Sequence, residues 1–340
     1  MASRPPWGDR ERGPVAPKPY TFISFPDQIV RDEVPGHHVI KPDLLAGTLA
    51  FSLRTLTPLF VSSGQVALSE DLRLPPGNVA QAHYRINGRP AIPASSLKGA
   101  VRSVVEAVSA SCLGVTRVRP YDLPKTFKKP CSRHAACPAC ILFGMGGNEA
   151  YLGQVRFEDA LLTDGQMILY RLPALYRPRP NAPIYRDERR QYKGRKFYRH
   201  GRPRAADKGG QSEVIRNGST LTGQITFTNL SDDQLGLLVY AMGLGGQFRL
   251  KLGGGKPACL GSLHLQPLRL TLTDSRQAFL GDADAASERV WEGDNAIAQV
   301  RDYVAGARRN GYILAQQAGE LEQLLRYDSS QMDECPTGVY

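Results

Sequence analysis

Between Gly47 and Leu56 the chain alternates: Leu49, Phe51 and Leu53 are large and apolar, while Thr48, Ser52 and Arg54 in the alternate places are polar. That period of two predicts a strand with one face in a core, and Thr57-Pro58 ends it. From Ser95 the period changes. Leu97, Val101, Val104, Val105 and Val108 recur at helical spacing, with Ser95 as the expected N-cap. Valine is a mediocre helix former, so this helix must be held by packing. Further strands are expected at Tyr20–Phe25, Leu152–Leu161, Met167–Leu172, Ser219–Thr228 and Ser262–Leu272. Ser231-Asp232-Asp233 caps a second helix over about Gln234–Met242. Ser62–Pro90 reads as loop, and about 286–327 as mostly helical, weakened at Gly306 and Gly311. The order strand, helix, strands, helix, strand predicts an α+β, ferredoxin-like unit with insertions near 112–150 and 173–216.

Hydrophobic residues make up 41% of the 340, enough for a core, so wholesale disorder is excluded. The formal charge of +11 makes a polyanion the leading partner class. The start of the chain has no apolar stretch behind its charges, and no window approaches a membrane span. A soluble, cytoplasmic chain is expected. Six cysteines are too sparse for a disulfide scaffold, which leaves reduced thiols available for metal.

Cys131, His134, Cys137 and Cys140 fall within ten residues, each separated from the next by two others. Thiolate and imidazole at this count and spacing suit tetrahedral zinc. A nucleobase deaminase needs His-x-Glu and a separate Pro-Cys-x-x-Cys, whereas Ala135-Ala136 follow His134 here. Four protein ligands close the coordination sphere, so the expected zinc is structural. Cys112, Cys259 and Cys335 have no assigned role.

Residues 171–208 hold thirteen Lys/Arg against three acidic residues, a local excess of ten out of the chain's +11. Tyr176, Tyr185, Tyr192, Phe197 and Tyr198 are interleaved with them. Arginine forks clamp phosphates and aromatic faces stack on unpaired bases, so this segment points to single-stranded RNA or DNA. The candidate contacts are Arg189, Arg190, Lys193, Arg195, Lys196 and Tyr198. A second basic stretch, Gly243–Gly261, carries Arg249, Lys251 and Lys256 among glycines. It lacks the Gly-x4-Gly-Lys-Ser/Thr order of a nucleotide-hydrolysing loop, because Leu250 stands at the first glycine and Pro257 follows Lys256. What remains is a turn that can approach a phosphate, or simply link a helix to a strand.

Ile92-Pro93-Ala94-Ser95-Ser96-Leu97-Lys98-Gly99-Ala100-Val101-Arg102 closely resembles the Ile-Pro-Gly-Ser-Ser-Leu-Lys-Gly-x-x-Arg signature of the RAMP superfamily, the repeat-associated backbone subunits of CRISPR effector complexes. Thr57–Gly64 resembles the turn that precedes that signature, and Gly253–Gly261 the family's glycine-rich loop. Pro19–Phe22, Gly194–Tyr198 and the cysteine knuckle through Gly144 are similar to the Cas-seven-like group, on the branch related to types III-D, III-E and VII. The resemblance covers most of 19–270.

It implies a modified RRM-like palm at 19–272 that stacks on copies of itself or on other RAMP subunits along a guide RNA. The basic insertion would be a thumb-like hairpin. A flexible arm at 1–18, a helical region at 273–327 and a flexible tail at 328–340 complete the expected organisation. Ser95, Ser96, Lys98 and Arg102 would contact the guide backbone, and a helix N-terminus suits phosphate independently. Target-cleaving relatives carry an aspartate shortly before the signature, and Ala80 to His83 contain none. The expected protein presents guide RNA to target RNA and leaves cutting to a separate nuclease. Two alternatives stand beside it: a magnesium-dependent target-RNA endonuclease using Asp71 (with Glu70, or His83 acting on a 2′-hydroxyl), and a zinc-knuckle RNA-processing factor unrelated to CRISPR.

Overall fold

The computed structural model describes residues 18–76, 79–114, 118–173, 175, 183–274, 276–277 and 287–335. The arm through residue 17, Tyr176, Arg177 and Arg179 of the basic insertion, and the last five residues lie outside them. The strands are β1 (Tyr20–Ser24), β2 (Leu45–Thr55), β3 (Ser62–Leu68), β4 (Val79–His83), β5 (Arg85–Ile86), β6 (Arg89–Ile92), β7 (Gly144–Met145), β8 (Tyr151–Leu152) and β9 (Val155–Phe157). After them come β10 (Ala160–Asp164), β11 (Met167–Arg171), β12 (Gly194–Tyr198), β13 (Gln211–Ile215), β14 (Thr220–Leu230), β15 (Leu250–Lys251), β16 (Ser262–Thr273) and β17 (Glu288–Glu292). The helices are α1 (Ala94–Val108), α2 (Pro138–Phe143), α3 (Asp232–Ala241), α4 (Gly293–Arg309) and α5 (Ala315–Leu324).

The main sheet is antiparallel throughout and runs β15-β16-β2-β14-β10-β6-β5, with β17 on β16 and β9 on β14. Its centre follows from the alternation in β2: Leu49, Phe51 and Leu53 are fully buried, and Leu53 lies between Leu221 and Leu265 of the flanking strands. Pro267 is accommodated in β16 beside a bulge that throws Leu268 outward. Helices cover one face. Every apolar position expected on the first helix is buried, and Val101, Val105 and Val108 are wholly so. α3 begins with the expected Ser231 cap, completed by Gln234 as a reciprocal capping box.

Three expectations are corrected. The α1 N-cap is Pro93, not Ser95, and Ser95 lies exposed in the first turn. Asp159 caps the helix instead, accepting from Ala94 N at 2.7 Å and from Tyr84 Oη at 2.9 Å. Second, Ser62–Pro90 contains four short strands. Val66 and Leu68 there point outward (65% and 53% exposed), so no buried face produced a readable alternation. Third, β17 precedes the C-terminal helices, at the start of the region expected to be mostly helical. α4 passes through Gly306, and Gly311 stands at its end with φ +72°.

The basic insertion leaves through β11 and returns through β13, which pair with each other, while β12 between them pairs with β1. Arg186 and Tyr192 bridge across a tight turn. No helix among the described residues is long and apolar enough to cross a membrane.

Candidate nucleic-acid interface and metal centre

α1 carries three stripes. The apolar one faces the core. A second, Ser95, Ser96, Gly99, Ala100 and Ser103, lines a cleft of about 490 Å³, and its small side chains leave room for a ligand. The opposite walls are Lys196 and Tyr198 of β12, the turn Phe60–Ser62, and Leu250–Gly254 with Lys256. Segments a hundred residues apart in sequence thus meet in one groove, and no Asp or Glu is among the described residues lining it.

The glycine-rich wall is fixed by close packing. Gly253 has φ +89°, and a Cβ there would stand 2.4 Å from Phe60 O, so only glycine fits. Gly254 N donates to Phe60 O at 2.7 Å. Lys251 is nearly enclosed. Burial, and then the neighbouring Lys256 charge, pull its ammonium down to about 7. Burial also lowers Lys256, for which no acidic partner is seen among the described residues. Lys251 Nζ donates to Ser262 Oγ at 3.3 Å. Burial holds His200 neutral at about 3, so its Nε2–H donates to Arg249 O (3.1 Å) and its Nδ1 accepts from Ser262 Oγ (2.8 Å). Lys251, enclosed, and Lys256, half-buried, thus face one groove with no acidic partner among the described residues, a chemistry that suits an anion.

Other expected contacts lie elsewhere. The third α1 stripe, Lys98, Arg102 and Glu106, turns toward the cysteines. Arg102 Nε meets Glu106 Oε1 at 2.7 Å, and its Nη groups donate to Gly144 O (2.7 Å) and Cys140 Sγ (3.8 Å). Arg195 Nη2 sits 2.5 Å from Glu106 Oε2, and its Nε donates to Ser103 O. These two arginines, read from sequence as RNA contacts, clasp one buried carboxylate. Lys98 is half-buried and does not line the cleft. Arg249 donates to Gly246 O and Phe248 O, outside the cleft lining. Arg189 and Arg190 are exposed on the 186–192 turn, and Lys193 lies over the Phe22 ring. The aromatics of the insertion pack on β1: Tyr185 is buried against Tyr20 and Phe22, and Lys196 Nζ lies 4.5 Å from the Tyr20 ring centroid. Replacing Glu106 by Gln should leave two arginines facing a neutral amide and cost ~3 kcal/mol, read as a lowered denaturant midpoint.

The candidate catalytic groups are dispersed. Asp71 and Glu70 are exposed in the turn after β3. His83 is buried and held at about 4 by desolvation; Nδ1 accepts from Val61 N and Nε2–H donates to Ala91 O, so neither nitrogen is free for a 2′-hydroxyl.

At the other end of α1, Cys112, Cys131, Cys137 and Cys140 bring their sulfurs within 4.8 Å of one another. Cys112, missed from sequence because it stands 19 residues before Cys131, occupies the place expected of His134, which is exposed outside the cluster. Cys137 caps α2 with Pro138 at N1, which turns the knuckle inward. A tetrahedron with metal–sulfur bonds near 2.3 Å needs sulfurs about 3.8 Å apart. Here Cys112 Sγ lies 3.5 Å from Cys137 Sγ and 3.6 Å from Cys140 Sγ. Backbone amides of Cys112 and Cys137 donate to Cys137 Sγ and Cys131 Sγ, and the other three thiols hold Cys131 far below the ordinary thiol range. The set fits a tetrahedral thiolate-bound ion. Four protein ligands leave it no open position, so its chemistry would be that of a cross-link.

A family model described as the RAMP superfamily matches residues 52–264, well over half of the chain. The chain belongs to the RAMP superfamily. RAMP proteins are generally associated with CRISPR RNA-binding subunits, which bind guide RNA and other subunits. No curated protein matches it closely enough to be named beside it. The RAMP match runs from β2 to β16 and so takes in the cleft's three walls and the cysteine cluster.

Proposed function

We propose that this RAMP protein is a guide-RNA-binding backbone subunit of a multisubunit RNA-guided CRISPR effector complex. One observation carries the reading: Ser95, Ser96 and Gly99 of α1 with Lys196, Lys251 and Lys256 line a single groove that has no carboxylate among its described residues. Phosphates of a single strand would lie along the lysine wall, against the small residues of α1. The palm is best read as ferredoxin-like, since β2, β10, β14 and β16 with α1 and α3 follow that unit's order. The ion is best read as structural zinc, held by Cys112, Cys131, Cys137 and Cys140. In this reading the partners are guide RNA, its target RNA, copies of this chain or other RAMP subunits in the cytoplasm, and a separate nuclease. The branch near types III-D, III-E and VII remains part of the proposal.

The test is to sequence RNA that co-purifies with the protein. Repeat-derived tags support the reading; RNA of random origin counts against it. The scaffold role makes its own prediction. Asp71→Ala should leave magnesium-dependent cleavage of complementary RNA by the assembled complex within about twofold of wild type, a difference under ~0.5 kcal/mol in the barrier. Abolished cleavage would make this chain the nuclease.

A further inference from the structure

Two cysteines stand apart from the metal cluster. Cys259 and Cys335, 76 residues apart in sequence, are joined as a disulfide. Cys259 ends the short turn Lys256–Ala258, and its amide donates to Lys256 O at 3.1 Å. It holds a left-handed backbone, φ +63°, which L-residues with a Cβ resist. Its sulfur lies so near Gly201 that a Cβ there would approach to 2.7 Å. Cys335 meets the same place from the chain's end: its amide donates to Arg202 O, and Arg202 N donates to Asp333 O. One bridge therefore ties together the turn that carries Lys256 and the residues just beyond β12. The first carries Lys256 of one basic wall of the cleft, and the second continues directly from the Lys196–Tyr198 wall.

Around Cys335 the strap is lightly held. Ser329, Ser330, Gln331, Asp333 and Glu334 are exposed, and the segment reaches the body mainly through Arg202 and through Tyr327 Oη on Leu56 O. Cys259 is fully buried and Cys335 nearly so, so a dithiol reaches the bridge when this exposed segment lifts; opening the bridge then removes one of the ties on the Cys259 turn, whose backbone hydrogen bonds remain.

We propose that Cys259 and Cys335 form a thiol–disulfide exchange site that takes a dithiol, and that its closed state clamps the cleft. A thiolate of the dithiol attacks one sulfur and forms a mixed disulfide. Its second thiol then closes on the first, leaving as a cyclic or internal disulfide. Two electrons and two protons pass to the protein, which ends with free thiols at Cys259 and Cys335. The consequence for RNA rests on the reading of the cleft given above; the clamp itself does not. The open form no longer ties the Lys256 turn and is therefore the loose, weak-binding one, and in a reducing compartment a bridge of this kind is transient or regulatory.

The test compares the full chain, with zinc in the buffer, before and after dithiothreitol. Alkylation followed by mass spectrometry counts the free thiols at 259 and 335. Hydrogen exchange follows 253–261 and 327–335, and fluorescence anisotropy follows a single-stranded RNA. Reduction should expose both thiols, speed exchange across 253–261 about tenfold or more, and weaken RNA binding about fivefold, as loss of one ordered phosphate contact does. Cys335→Ser should behave as the reduced protein in both conditions. Free thiols at both positions before reduction, or exchange that reduction leaves unchanged, would overturn the clamp, as would a Cys335→Ser variant that binds like the oxidised wild type. RNA binding absent in both redox states counts against the cleft as an RNA site, and exchange still decides the clamp.

Discussion

Cys112→Ser is expected to empty the metal centre, and His134→Ala to leave it intact. Three thiolates remain in the first variant, and a hydroxyl stands 3.5 to 3.6 Å from two of them where a fourth sulfur closed the tetrahedron. The cluster pins the segment after α1 to α2, and Arg102 and Glu106 join it to the body of the helix. Its loss should lower stability by ~3–5 kcal/mol, the range seen when a metal or a buried network is removed. Metal analysis should find about one equivalent of zinc in wild type and in His134→Ala, and well under half in Cys112→Ser. Equal losses in the two variants would restore histidine to the ligand set.

The second large effect belongs to the lysines. Lys251→Met with Lys256→Ala should weaken single-stranded RNA binding roughly 30- to 100-fold, and lower the salt slope by about 1.4 for the two lost charges. The pH dependence has a definite sign. Burial holds free Lys251 near 7, and a bound phosphate favours its ammonium, so the pair takes up a proton. Its contribution is complete below about 7 and is lost as pH rises through the higher value of the complex. Wild-type affinity should therefore stay level below about pH 7 and fall above it, and Lys251→Met should flatten that fall. Replacing exposed Arg189 and Arg190 should cost less, because neither lines the cleft. Arg195 does not belong in that comparison, since removing it strips a partner from buried Glu106.

β2 and α1 were legible because each has one buried face, so that alternate or helically spaced side chains enter the same core. α3, buried at every position from Leu235 to Ala241, has no such period and was legible from its Ser231 cap. Where neither face is buried, as along β3, no period existed to read. The cleft was half legible. Ser95, Ser96, Lys196, Tyr198, Lys251 and Lys256 were picked out by type, and the fold brings all six to one groove. Arg102 and Arg195 were of the right type and went elsewhere, because Glu106, a buried acid on the polar stripe of α1, claims both. A buried glutamate on a valine-rich helix is the signal that could have found them. Cys112 and the Cys259–Cys335 pair depend on contacts across 19 and 76 residues, which spacing alone cannot express. The N-terminus of α1 looked open to phosphate until Asp159, 65 residues away, was found to occupy it.

The most direct measurement is photocrosslinking of the guide-loaded complex, followed by mass spectrometry of the crosslinked peptides. The account predicts nucleotide adducts on Tyr198 and on peptides spanning 95–103 and 250–256. Adducts confined to the 186–192 turn, or to the outer face of the main sheet, would contradict it.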